Sequence, residues 1–276
     1  MTSVMCSGFG SAAVLPQQLG YPSGPGVAEL DLRRPVEDLV DLVRERVDGY
    51  GPLVMVKDAR DTLGLQALLA IRALTAAPLL VVPVALPQLA LLVTALSLSA
   101  LLPDEPAPTL LADLVPEIAA RLQVLARVSS VAGLRDPAPH LTQHARSMLP
   151  GGSFQVCVQP LPSVTAWGSG PDVQLPPVAP ESVAVLRGDE DGSVRARVLA
   201  SWPGTPLVEL PAAVGASAWW GSRKAVELVA APLVLAPLRA QLLAPALPCR
   251  WCHQLSRAAV CSGCSMLRIE DSGRTA

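Results

Sequence analysis

Aromatic residues are nearly missing from this 276-residue chain, which holds five Trp, two Tyr and two Phe, 3% of the total. Hydrophobic residues nevertheless make up 51%, so the core has to be built from Leu, Val and Ala. A chain this apolar, with a net charge of only −2, does not stay disordered. Lysine is also scarce: Lys57 and Lys224 are the lysines among 21 basic residues. Near-neutral charge removes the clustered cations that tight nucleic-acid binding uses to displace counterions. No Lys or Arg precedes Arg33, so the N-terminus lacks the basic start of a secretory signal. Cys6, Cys157 and the paired cysteines near the C-terminus fit a reducing compartment, and the cytoplasm is the expected location. There is no Walker lysine motif and no Gly-x-Ser-x-Gly elbow.

One stretch is long and uncharged. Residues 73–102, "ALTAAPLLVVPVALPQLALLVTALSLSALL", meet the length test for a membrane span. Pro78, Pro83 and Pro87 interrupt it, and the basic residues before it would export the cysteine-rich tail. A soluble reading fits the same residues. "PLLVVPVAL" suits a strand buried on both faces, and "PQLALLVTALSLSALL" suits a helix opened by Pro.

The surrounding pattern alternates. "VAELDL" and "PLVMVKD" read as strands. "PVEDLVDLVRERVDGY" and "DTLGLQALLAIRALTA" read as helices, the second with Asp61 or Thr62 as N-cap. The expectation is an α/β chain with an N-terminal three-layer βαβαβα-type parallel sheet over 26–150, after a flexible leader at 1–25. "APTLLADLVPEIAARLQVLARVSSVAGL" continues as helix, with Pro116 as a kink or break. A β-rich second half follows over 151–245, with "SFQVCVQ", "SVAVLRG", "SVRARVLASW" and "PLVEL" as short strands and "RGDEDGS" as a hairpin loop. A metal-clipped tail spans 246–276.

Four constellations carry chemistry. In "PCRWCHQLSRAAVCSGCSM", Cys249, Cys252, Cys261 and Cys264 form two Cys-x-x-Cys pairs eight residues apart. Each pair presents two thiolates from one turn, and together they complete a tetrahedral sulfur site. A redox dithiol set and an iron–sulfur cluster use the same residues. The segment 248–266 resembles a short zinc ribbon, which implies a structural Zn2+ and a hairpin that presents a surface, here with Arg250, Trp251, Arg257 and Arg268. Ribbons carry Gly after each pair, whereas this chain has His253 and Ser265. His140 and His144 stand at i, i+4 on a helical pattern, but Leu141 occupies the position where zincin chemistry needs Glu. "GFGSAA" at 8–13 matches the Gly-x-Gly-x-x-Ala spacing after a poor strand. Lys57, Asp58, Arg60 and Asp61 lie past a strand end, where parallel sheets bind ligands. Asp189, Glu190 and Asp191 fit a solvated turn, and Trp219-Trp220 fit core.

No catalytic set converges, so the reading leans away from an enzyme. It favours a zinc-containing adaptor that docks another protein through the ribbon, nucleic acid being weakly supported. The rivals are an enzyme or a nucleotide or phosphate binder working near Asp58, and a membrane-associated protein using residues 73–102.

Overall fold

The uncharged run at 73–102 resolves into the end of one helix, an edge strand and a second helix. β4, Leu79–Val84, is half-buried at a sheet edge instead of covered on both faces, and α3, Gln88–Leu101, is largely buried, in a computed structural model that describes residues 3–7, 27–32, 34–76, 78–101, 108–149, 151–168, 174–213, 216–232, 240–241, 243 and 246–267. No helix among the described residues is long and apolar enough to cross a membrane.

The first sheet holds β1 (Ser3–Ser7), β2 (Val27–Leu30), β3 (Leu53–Asp58) and β4 in the order β2-β1-β3-β4, all parallel. Its outer face packs Met5, Leu53, Met55 and Leu79 against α1 (Val36–Tyr50) and α2 (Thr62–Thr75) through Leu39, Val43, Leu68 and Ile71. Asp61 caps α2 as expected, accepting from the Gly64 N–H at 2.9 Å. The leader reading is corrected at β1. Val4 and Met5 are buried on opposite faces of the sheet, and that strand lies between β2 and β3. Five residues with one large apolar side chain per face suffice for an interior strand. The "GFGSAA" stretch lies outside the described residues.

The second sheet has the order β7-β6-β5-β10-β8-β9, built from β5 (Gln123–Val128), β6 (Phe154–Gln159), β7 (Ser163–Ala166), β8 (Ser182–Arg187), β9 (Leu207–Leu210) and β10 (Ala225–Pro232). Its pairs are antiparallel except β8 with β9. Two expectations are corrected here. The helix expected through "APTLLADLVPEIAARLQVLARV" ends early: α4 runs Pro108–Ala119 through Pro116, and Gln123–Val128 is a strand. Alternating Val124, Ala126 and Val128 face one core and Leu125 the other, so burial on both faces decides the matter. Conversely, "SVRARVLAS" is helix α6, Ser193–Ser201. Its buried Val194 and Val198 stand four apart, and the acidic stretch before it caps it: Asp189 accepts from the N–H groups of Val194 and Arg195 at 3.3 and 2.7 Å. "RGDEDGS" therefore joins a strand to a helix instead of turning a hairpin.

The layers stack as α1 and α2, first sheet, α3 and α4, second sheet, α6. α3 touches β1 and β3 on one side and β10 on the other. Helices facing core on both sides read apolar all round, which is why this segment mimics a membrane span. Leu89, Leu91, Leu92, Val93, Leu96 and Leu98 are all buried, each worth about 1.5–3 kcal/mol of transfer free energy. The layer between the sheets is aliphatic, with Phe154 and Trp220 as the aromatic members of its buried cluster.

Candidate functional site

The strand end proposed for ligand chemistry is occupied by its own side chains. Lys57 is 3% exposed and donates to Asp61. Asp58 accepts from the Arg60 N–H at 3.0 Å, and burial is the main reason its carboxyl is held above the ordinary value. Arg60 bridges to Asp136 at 3.1 Å and lies over the Trp219 ring, 4.1 Å from its centroid. Both cations there, Lys57 and Arg60, are thus paired with carboxylates among the described residues.

Arg60 and Trp219 nevertheless mark where the first sheet meets the second. Behind them a polar cluster closes one end of the aliphatic layer. Arg187, at the end of β8, and Glu227, opposite it on β10, are 2% and 1% exposed. Arg187 Nη1 and Glu227 Oε2 are 3.5 Å apart. Glu227 also accepts from Trp220 Nε1 at 3.1 Å, in helix α7, Ala216–Trp220. Burial raises the Glu227 carboxyl above its ordinary range, while Arg187, the indole and the Leu89 N–H at the start of α3 oppose that rise. Arg187 Nη1 and Glu227 Oε2 have this long contact with each other, and Arg187 Nε, Gln88 Oε1 and Trp219 Nε1 are buried without a hydrogen-bond partner among the described residues. Native interiors satisfy nearly all such atoms, so the unpartnered Arg187 Nε beside a long buried ion pair marks a polar site. A cleft of about 890 Å3, lined by Arg187, Arg127, Arg223 and Lys224 among others, runs along this end of the sheet. Sequence reasoning passed over Arg187 and Glu227. The available signal was a charge inside each of two apolar strand runs, "SVAVLR" and "AVELVAAP".

The four cysteines do come together. Cys249 Sγ lies 3.7 Å from Cys264 Sγ, Cys252 Sγ lies 3.6 Å from Cys261 Sγ, and all four fall within 4.8 Å of one another. Disulfide sulfurs sit at about 2.05 Å, whereas a tetrahedron of metal–sulfur bonds near 2.3 Å has edges of roughly 3.8 Å. The spacing can therefore hold a metal ion. Two matching turns present the thiols. His253 N–H donates to Cys249 O and Ser265 N–H to Cys261 O, at 2.9 and 2.8 Å. His253 and Ser265, which stand where ribbons carry Gly, adopt left-handed φ values of 61° and 59°. N–H groups of Cys252 and Trp251 pull the Cys249 thiol down to about 6. The hairpin of β11 (Leu247–Pro248) and β12 (Leu255–Ser256) then docks on α4. Thr109 Oγ1 donates to Leu255 O at 2.6 Å. Asp113 accepts from Ser256 Oγ, Arg257 N and Ala258 N at 2.7, 2.7 and 3.2 Å, and from Ser262 Oγ. Arg257 faces Glu117 at 3.9 Å, while Trp251 is exposed and Arg268 lies outside the described residues.

The histidine pair does not form a site. His140 precedes helix α5, Leu141–Ser147, in extended backbone, so the two imidazoles do not share a helical face.

No family model matches the chain, and no curated protein matches it. Solved structures do match. A DegV family protein from Corynebacterium glutamicum aligns over 84% of this chain and 96% of its own, at 11% identity and TM-score 0.56. A DegV family protein from Thermus thermophilus, described for fatty acid binding, aligns over 84% and 99% at 12% identity and TM-score 0.55. One from Eubacterium eligens, loaded with heptadecanoic acid, aligns over 84% and 100% at 10% identity and TM-score 0.53. The chain has the DegV fold.

That finding overturns the functional expectations. The adaptor reading, with zinc as its keyword and another protein as its partner, took the smallest part of the chain for the whole. The DegV-like fold spans most of the molecule, and the clip's inner face is already used against α4. The alternatives fall as well. Lys57 and Arg60 are each paired with a carboxylate, Gln88–Leu101 is a largely buried helix, and nothing in the comparisons points to a nucleic-acid, protein or membrane partner.

Proposed function

We propose that this protein binds a long-chain carboxylic acid, with the alkyl chain in the aliphatic layer around α3 and the head group at Arg187 and Trp219. The observation that carries this reading is the buried Arg187 at the polar end of that layer, whose Nε has no hydrogen-bond partner among the described residues and whose Nη1 reaches Glu227 only at 3.5 Å. An amphiphile needs an apolar slot ending in a few placed polar groups, and a guanidinium fork matches a carboxylate. Support comes from the DegV-like structures, whose descriptions name fatty acids. The cleft beside Arg187 gives the head group a route to solvent. Native mass spectrometry of the purified protein is expected to show one copurifying acid per chain. Delipidated protein is expected to take up dodecanoate in a one-to-one complex that Arg187→Leu weakens at least tenfold. The reading is abandoned if no acid copurifies and dodecanoate fails to bind at micromolar concentration.

The cysteine clip supports a narrower reading beside it. Cys249, Cys252, Cys261 and Cys264 suit Zn2+, since soft thiolates select such ions and four protein ligands leave no open position for catalysis. Its part is to hold the tail on α4. A cytoplasmic location belongs with this, because thiolate ligands persist where thiols stay reduced. Metal analysis of freshly reduced protein should find one zinc per chain, and its absence would end the proposal.

A further inference from the structure

We propose that Glu227 sets the charge state of the ligand, so that the site accepts an uncharged head group, or a carboxylate only together with one proton. This rests on the reading above and deepens it. The groups around the Glu227 carboxyl are few. On β8 it meets Arg187, with Nη1 at 3.5 Å. On the other side, β5 places Ala126 opposite it. Trp220 Nε1 comes from α7 at 3.1 Å, and the Leu89 N–H from α3. Arg60 lies farther out, over Trp219, and is matched by Asp136. Arg127, Arg223 and Lys224 line the cleft beside Arg187 together with Glu190 and Asp191, and Arg127 is paired with Asp191; at the Glu227 carboxyl itself, one cation faces one anion.

The charge balance follows from that count. With Arg187 positive and Glu227 negative, the buried pair is neutral. A fatty carboxylate entering beside Arg187 would leave one uncompensated negative charge in a low-dielectric interior, and such a group protonates instead of remaining charged. The proton goes to Glu227, which burial has already made easier to protonate. Arg187 is then released to the incoming carboxylate. Equivalently, the acid enters protonated, the O–H proton lying between the ligand oxygen and Glu227 Oε2, whose contact with Arg187 is long at 3.5 Å. Either route gives the same stoichiometry of one proton taken up per acid anion bound. A neutral ester needs no proton, because it adds no charge.

Calorimetry on the full-length, delipidated protein decides this. Dodecanoate and methyl dodecanoate are titrated at one pH in phosphate and in Tris, whose ionisation heats differ, and again across pH. Dodecanoate is expected to bind with uptake of close to one proton, and its affinity should fall about tenfold per pH unit once Glu227 is ionised in the free protein. The methyl ester should bind with no uptake and no pH dependence. Glu227→Gln should abolish the uptake, while Glu227→Asp, which keeps the titrating group, should retain it. Dodecanoate binding without proton uptake, or uptake undiminished in Glu227→Gln, overturns the role of Glu227 and leaves acid binding standing. Failure of dodecanoate to bind the wild-type protein overturns both.

Discussion

Replacing Asp113 with Ala should detach the cysteine clip from α4 without unfolding it. The carboxylate gathers two backbone N–H groups and two hydroxyls from residues 256–262. The hydroxyls can turn toward water when the acceptor goes, whereas the amides of Arg257 and Ala258 are fixed by the hairpin. Hydrogen bonds to a charged acceptor contribute about 1.5–3 kcal/mol each. Asp113 is only half-buried, so water replaces part of the loss, and we expect about 3 kcal/mol in total. Amide hydrogen exchange reads this directly, since local opening is reported residue by residue. The Arg257 and Ala258 amides should exchange roughly a hundredfold faster in Asp113→Ala. The His253 and Ser265 amides, bonded within their own turns, should keep their protection while metal is bound. Unchanged exchange at Arg257 and Ala258 would refute the docking account. Simultaneous loss at His253 and Ser265 would refute the idea that the thiol cluster holds the clip by itself.

The other predictions are shorter. His253→Gly and Ser265→Gly should each stabilise the metal-loaded clip by up to about 1 kcal/mol, because both residues hold left-handed backbone that costs an L side chain energy; tighter zinc retention against a competing chelator is the readout. Gly221→Ala should cost more than 2 kcal/mol in urea unfolding, since φ is +59° and a Cβ would run into the backbone of Gly133. Chelation under reducing conditions should release protection at residues 249–265 and leave the far-ultraviolet signal of the two large sheets intact. Ser193 and Arg127 hold the Asp191 carboxyl below the ordinary value of 3.8. Its stabilising contribution is therefore present above that value and lost as pH falls toward the lower folded-state value. Asp191 is 59% exposed, so Asp191→Asn should cost under about 1 kcal/mol at neutral pH and flatten that acid-side loss in thermal unfolding.

Apart from β1, which reads as leader, the first sheet was legible because its periods are unmixed. "VEDLVDLVRERV" can place one face on a core only as a helix, and Asp61 announces the start of the next. Where the reading failed, two periods competed within one short stretch. "SVRARV" alternates like a strand, yet its valines also stand four apart, and the cap from Asp189 decides for helix. "QVLARV" has the composition of the helix before it and becomes a strand because the second sheet buries both of its faces. The first deciding contact is local, a carboxylate five residues before the helix's first buried valine, and sequence reasoning passes over it as a turn; the second comes from distant strands and could not be read from the segment itself.

The site was illegible for a related reason. Cysteine spacing is a local code, and the clip could be read from nineteen residues because its ligands come from one hairpin. Arg187 and Glu227 are forty residues apart and become partners only when β8 pairs with β10, while Leu89 and Trp220 arrive from two further elements. The proposed lipid slot adds little to this, since an alkyl chain would be recognised by the Leu, Val and Ala that also make ordinary core. What would separate such a slot from plain packing is a buried charge held only by a long contact. That makes Arg187 the informative residue of this molecule: a guanidinium 2% exposed, with Nε lacking a hydrogen-bond partner among the described residues and Nη1 held by Glu227 only at 3.5 Å, is costly in a closed core and, under the proposed function, useful where an acid is held.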